Sequence, residues 1–84
     1  MSTQEQATFI GQLLEKKLSF FNSYDILYDT RTDGEYFYVD VVPKDGEHCI
    51  TSVAMGCILN VVTQHHLSYF ITASFRSKPT VSIY

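Results

Sequence analysis

The sequence of 84 residues contains few of the features that mark secreted, membrane-spanning or phosphate-binding proteins. It has only two cysteines, Cys49 and Cys57, whereas a small disulfide-stapled secreted domain usually carries about four to eight. No charged start followed by an apolar run and a cleavage site is visible, so we expect no signal peptide. The densest apolar stretch, 50–62, is interrupted by polar residues and is shorter than the roughly 20 residues of a membrane span. These absences predict a reduced, cytoplasmic protein that does not enter a membrane.

The sequence also has no glycine-rich segment, and its last part has no acidic residue. The four glycines are dispersed and form no glycine-rich phosphate loop. From residue 48 to the end there is no Asp or Glu, whereas the segment 25–47 holds seven acidic and two basic side chains. The net charge of −3 therefore hides a dipole with an acidic middle and a mildly basic end.

Apolar residues, by contrast, are plentiful for so short a chain. Hydrophobic residues make up 45% of the sequence and aromatic residues 14%. A domain of this length buries only about 60–65% of the surface that its unfolded chain exposes. We therefore expect part of the apolar surface to be covered by a second copy or by a partner.

The hydrophobic pattern predicts one α+β domain over 1–84. Apolar residues at spacings of three and four indicate helices over 4–22, capped by Ser2 or Thr3, and over 50–65. Aromatic and β-branched residues indicate a hairpin of strands 24–29 and 35–42 around Asp33-Gly34, and a second hairpin of strands 68–76 and 80–84 that turns at 77–79. The order α-β-β-α-β-β predicts two helices packed on one face of a four-stranded antiparallel sheet. One such layout is a permuted ferredoxin-like arrangement with the last strand in a central position. Gly56 lies inside the second helix, and we expect another backbone to approach it closely.

Both faces of the second predicted strand are apolar. Phe37, Val39 and Val41 alternate with Tyr36, Tyr38, Asp40 and Val42. If the helices cover the first set, the open face carries Tyr36, Tyr38 and Val42, and we expect Tyr28 and Ile26 of the first strand beside them. The apolar side chains on whichever face the helices leave free must still be covered by a second copy or by a partner.

Three kinds of chemical site are weighed against this interpretation. A metal site would use His48, Cys49, Cys57 and His65, but their spacing does not let one turn present two ligands. A nucleophilic cysteine lacks a base placed to activate it. The acidic residues of the first hairpin are typical of a solvated rim at a sheet edge. We therefore expect neither catalytic activity nor a bound cofactor.

Binding of single-stranded nucleic acid is the main alternative from another class. The aromatic residues Tyr36, Tyr38, Phe70 and Tyr84 are suited to stacking bases on an exposed sheet. The chain has only six basic residues and an isoelectric point near 5.4, so it offers few cations to the phosphates. This balance disfavours nucleic acid.

The sequence thus favours a small non-catalytic domain that binds another protein or itself. Tyrosine is preferred at interfaces, and acidic residues nearby set the choice of partner and the rate of association. The expected binding residues are Tyr28, Tyr36, Tyr38, Asp29, Asp33, Glu35 and Asp40. The compact acidic chain fits an inhibitor or adaptor, such as a bacteriophage-encoded factor that takes over a host protein, and we expect a homodimer.

Overall fold

Two helices and a four-stranded antiparallel sheet make up the part of the chain that the computed structural model describes, which is residues 1, 3–31, 34, 36–75 and 78–84. The elements follow one another as α1 (Gln4–Leu18), β1 (Tyr24–Arg31), β2 (Tyr36–Pro43), α2 (Ser52–Gln64), β3 (Tyr69–Phe75) and β4 (Lys78–Ile83). The predicted α+β class and the predicted order of elements are confirmed. Neither described helix combines the length and the apolar character that crossing a membrane requires.

Both helices begin at a threonine cap. The Thr3 hydroxyl accepts a hydrogen bond from the Gln6 amide at 3.1 Å, and the Thr51 hydroxyl accepts one from the Ala54 amide at 3.2 Å. The first helix ends at Leu18, four residues before the predicted end. Asn22, which was expected to lie at the helix end, has a left-handed φ of 51° and turns the chain towards β1.

The strand order is β1-β2-β4-β3, so the last strand lies inside the sheet. In the central ladder Val39 pairs with Ile83 and Val41 pairs with Val81. Met1 continues this ladder past the end of β4, because its ammonium donates to the Phe37 carbonyl at 3.2 Å and its carbonyl accepts from the Phe37 amide at 2.9 Å. Burial of the Met1 ammonium lowers its pKa.

The main core forms where both helices meet one set of strand side chains. Every second residue of β2 and β4 points into this core, and the apolar stripes of both helices pack against these strand residues. The cluster includes Ala7, Ile10, Leu14, Val39, Val41, Ala54, Ile58, Val61, Val81 and Ile83. The Thr51 amide donates a hydrogen bond of 3.1 Å to the Tyr24 hydroxyl and so links the start of α2 to β1.

The two predicted turns fall partly outside the described residues. Gly34 has the positive φ of 84° that a type I′ hairpin turn requires, whereas Asp33 lies outside the described part. The second turn was predicted at 77–79, but Lys78 and Pro79 already belong to β4. Ser77 is outside the described residues.

The expectation of a close backbone approach at Gly56 is wrong. A methyl group built on Gly56 meets no atom within 4 Å, and the residue is exposed. The crowded glycine is Gly11 of α1, because a methyl group there would overlap the ring of Tyr28. A glycine at position 11 thus lets the β1 side chain lie against the helix.

We therefore expect Gly56→Ala to raise the free energy of unfolding by about 1 kcal/mol, since alanine restricts the unfolded chain and favours helix. Gly46→Ala is the matched control. It also meets open space, but its φ of 91° strains any L side chain, so it should destabilise the domain. Urea unfolding of both variants checks the pair. A loss of stability in Gly56→Ala would contradict the absence of a neighbour.

Candidate protein-binding face

The sheet has a second face that is turned away from the main core. On β2 this face carries the side chains that alternate with Val39 and Val41, and pairing extends it to the other strands. Val42 belongs to this face, as expected, but it is 0% exposed and therefore covered. We call the rest of the face the open face and define it by Leu27, Asp29, Arg31, Tyr36, Tyr38, Asp40, Phe70, Thr72, Ser82 and Tyr84. Its residues come from all four described strands.

Three aromatic rings form a cluster at the centre of the open face. The ring centroids of Tyr38 and Tyr84 are 5.2 Å apart, those of Phe70 and Tyr84 are 5.8 Å apart, and those of Tyr38 and Phe70 are 6.1 Å apart. These separations lie in the range of favourable aromatic pairs. Ser82 lies between Asp40 and Phe70 in the strand register and is only 1% exposed, so the surrounding side chains cover this part of the sheet.

Arg31 crosses the face and joins the aromatic cluster to the acidic residues. Its guanidinium carbon lies 4.1 Å from the centroid of the Tyr38 ring and 5.4 Å from that of Phe70, which is cation–π geometry. Its Nε donates to Asp29 Oδ2 at 3.0 Å, and its Nη2 lies 3.7 Å from Asp40 Oδ2. One cation thus balances two carboxylates and stacks on a ring.

Asp40 is the most enclosed of these acids. Its side chain is 14% exposed, and its Oδ1 atom has no hydrogen-bond partner among the described residues. A buried carboxylate is costly unless a cation or donors compensate it, so Asp40 depends on Arg31. The open face therefore combines stacked rings with an excess of negative charge.

The predicted position of Tyr28 and Ile26 is wrong. Pairing places Ile26 opposite Val41 and Tyr28 opposite Val39, so both belong to the face that the helices cover. Directly paired residues of two antiparallel strands share a face, and this register therefore excludes Tyr28 from the open face. Partial burial and the nearby Glu15 carboxylate raise the pKa of the Tyr28 phenol.

The other predicted binding residues divide into two groups. Tyr36, Tyr38, Asp29 and Asp40 do share the open face, whereas Asp33 and Glu35 lie outside the described residues. Arg31, which contacts Tyr38, Asp29 and Asp40 on this face, was not among the predicted residues. The alternation of Asp25, Leu27, Asp29 and Arg31 along β1 was the signal that could have identified it.

The residues weighed for a metal site are not gathered into one. Within the described ranges, no group of three or more histidine, cysteine or acidic residues is arranged to hold an ion. Cys49 and Cys57 are free thiols, and Cys49 is exposed. The His65 ring lies 5.6 Å from the Phe9 ring in an edge-on contact between the two helices.

Comparison with known proteins gives no match for this chain. No family model, no curated protein and no solved structure matches it. The open face is therefore the basis for proposing a function.

Proposed function

We propose that this chain is a non-catalytic binding domain that takes up another protein on its open face. The observation that carries the proposal is the cluster of Tyr38, Phe70 and Tyr84, which stays partly exposed on the face opposite the main core. Rigid aromatic side chains bury a large area at little cost in rotamer freedom and are enriched at protein interfaces. A domain that only binds would act as an inhibitor or an adaptor.

The charges indicate what kind of partner fits. Among the described residues of the open face, Asp29 and Asp40 outnumber the one cation, Arg31, and the chain as a whole carries −3. A partner with apolar side chains flanked by lysine or arginine complements this surface, because its cations meet carboxylates and ring faces together. We expect its association rate to fall as salt is added, since salt screens the steering charges.

The same charges weigh against nucleic acid as the ligand. Exposed rings on an antiparallel sheet can stack bases, but phosphates require cations beside them. Arg31 is already paired with two carboxylates, and the Nζ atom of Lys78 donates to the Lys44 carbonyl at 2.6 Å. A protein partner is therefore favoured.

We also propose that the fold is a permuted ferredoxin-like arrangement. Two features support this proposal. The interior position of β4, between β2 and β3, agrees with a layout in which the last strand is central. The Met1 backbone, which bonds Phe37 on β2 in line with β4, brings the first residue of the chain next to the end of that strand.

The test of function is capture of a partner by two variants that each lose two aromatic rings. Tyr38→Ala with Phe70→Ala removes rings from the open face, whereas Phe9→Ala with Phe20→Ala removes exposed rings from the α1 side of the molecule. Immobilised wild-type and variant chains are exposed to a nuclease-treated lysate of the cells in which the chain is naturally made. The recovered proteins are quantified by mass spectrometry. We expect the open-face variant to lose at least about tenfold of the recovered partner, which corresponds to about 1.4 kcal/mol.

Two controls decide what a result means. Circular dichroism must show that the open-face variant remains folded. A fluorescence-polarisation titration with single-stranded oligonucleotides at low salt should show no binding up to tens of micromolar. Retained partner capture by the folded open-face variant would contradict the proposal. Oligonucleotide binding that depends on Tyr38 and Phe70 would replace it with the nucleic-acid alternative.

A further inference from the structure

The two outer strands of the sheet differ sharply in charge. Strand β1 carries Asp25, Asp29 and Arg31, whereas β3 has the sequence YFITASF and contains no charged residue and no proline. Proteins usually protect an exposed sheet edge with charges or proline, because an unprotected edge pairs with other strands. Within the described residues, β1 carries this protection, whereas β3 has neither a charge nor a proline and departs from a regular edge only where its register with β4 shifts, between Thr72 and Phe75.

The outer edge of β3 exposes both backbone groups and apolar side chains. Ser68 and Tyr84 exchange two backbone hydrogen bonds of 2.9 Å, so the alternation of an antiparallel ladder, which is regular as far as Thr72, directs the amides and carbonyls of Tyr69 and Ile71 away from β4. Their side chains point to the helix-covered side but are exposed, and Ile71 is 57% exposed. The cover that α2 provides therefore ends before it reaches this edge.

We infer that β3 is a self-association edge, on which β3 of a second copy of this chain pairs antiparallel. A two-fold axis at Ile71 sets Ile71 opposite Ile71 of the second copy and Tyr69 opposite Ala73. The outward amides and carbonyls of the two Ile71 residues then exchange hydrogen bonds, and no charged residue of either β3 is brought opposite another.

The charge distribution favours a second copy over other occupants of this edge. Pairing through β3 creates the order β1-β2-β4-β3-β3-β4-β2-β1, in which the two acidic β1 strands are seven strand spacings apart. At about 4.8 Å per spacing this is about 34 Å, well beyond the screening length of about 8–10 Å at physiological salt. Two chains of charge −3 can thus meet with little repulsion. Pairing of β1 with β1 would instead bring the acidic residues of the two copies together.

The same pairing enlarges the aromatic surface. Phe70 belongs to both β3 and the aromatic cluster, so a β3 pair brings the clusters of the two copies side by side on one continuous open face. An edge of seven residues is small for a specific interface, and we therefore expect a dimer dissociation constant on the order of 10 µM. The inference does not depend on which ligand the open face binds.

The experiment is sedimentation equilibrium of the whole chain between about 1 and 200 µM, which brackets the affinity expected of a small interface. The 9.6 kDa wild type should approach twice its mass as the concentration rises. Ile71→Lys should raise the dissociation constant at least about tenfold, because it sets two like charges opposite each other across the axis. Ala73→Lys adds a positive charge on the same side of β3 and leaves Ile71 unchanged. Thr30→Lys, at an exposed position on the β1 edge, should leave the dimer intact.

Two results would overturn the inference. The first is a wild type that stays monomeric throughout the range, which would leave the edge to an extended segment of another protein. The second is a dimer that survives Ile71→Lys and Ala73→Lys but is lost in the Tyr38→Ala, Phe70→Ala variant. That pattern would locate self-association on the open face.

Discussion

Replacing Ile83 with alanine should lower the free energy of unfolding by about 3 kcal/mol, a large part of the roughly 5–10 kcal/mol expected for a domain of this size. Ile83 is 0% exposed and lies on the interior strand β4, where it pairs with Val39 and packs in the main core. The truncation loses buried methyl groups and leaves a cavity among side chains that both helices and the sheet hold in place.

Ile71→Ala is the matched comparison, because it makes the same change on the other strand of the same hairpin. Ile71 is largely exposed, so the cost should stay below about 1 kcal/mol. Urea unfolding at about 1 µM protein, below the expected dimer affinity, keeps self-association from burying Ile71 during the measurement. Equal losses in the two variants would contradict a strand order with β4 inside and β3 at the edge.

Replacing Arg31 with methionine should cost about 2 kcal/mol, more than expected for a surface ion pair. Methionine keeps much of the apolar stem over Tyr38 but removes the charge that faces the enclosed Asp40 carboxylate. A buried carboxylate without its cation retains its desolvation cost, and the cation–π contact is lost as well. Adding Asp40→Asn to Arg31→Met should recover at least about half of the loss.

Asp29→Asn provides the reference for this cycle. Asp29 contacts the same guanidinium at 3.0 Å, but its side chain is half exposed, so its removal should cost less than about 0.5 kcal/mol. Urea unfolding of the wild type, Arg31→Met, Asp40→Asn and the double variant measures the coupling energy between positions 31 and 40, and Asp29→Asn is measured beside them. If Arg31→Met costs no more than Asp29→Asn, the cation does not support the buried part of the open face.

The elements of the fold could be predicted from local patterns. The predicted cap at Thr3 and the apolar stripes of both helices each depend on residues a few positions apart, and the structure agrees with them. The order of the strands could not be predicted in the same way, because the pairing of β2 with β4 joins residues about 40 positions apart. The sequence contains no local signal for that contact.

The error at Tyr28 was avoidable. A two-residue hairpin loop at Asp33-Gly34 requires Ile26 to pair with Val41 and Tyr28 to pair with Val39, which is the observed register. The expected position of Tyr28 beside Tyr36 and Tyr38 is out of this register by one position, and a slip of one position moves every side chain to the opposite face. The predicted turn therefore fixes the register of both strands and the face on which each side chain lies.

The role of Arg31 was harder to predict. Its contact with Tyr38 follows from the register of the first hairpin, but its contact with Phe70 depends on β4 lying between β2 and β3, and hence on the strand order. The shared alternation of Arg31 with Asp29 indicates only that the two side chains lie on one face. The candidate site thus becomes visible only when the long-range pairing is known.

Site-specific photo-crosslinking tests most directly whether the open face binds a protein. A photoreactive phenylalanine analogue replaces Tyr36, which lies on the open face and is 48% exposed, or Val53, which lies on α2 and is 65% exposed. Neither residue belongs to the aromatic cluster, so both substitutions should leave binding intact. In native lysate, the proposed function predicts one dominant protein adduct from position 36 and none from position 53. An adduct from position 53, with none from position 36, would contradict binding through the open face.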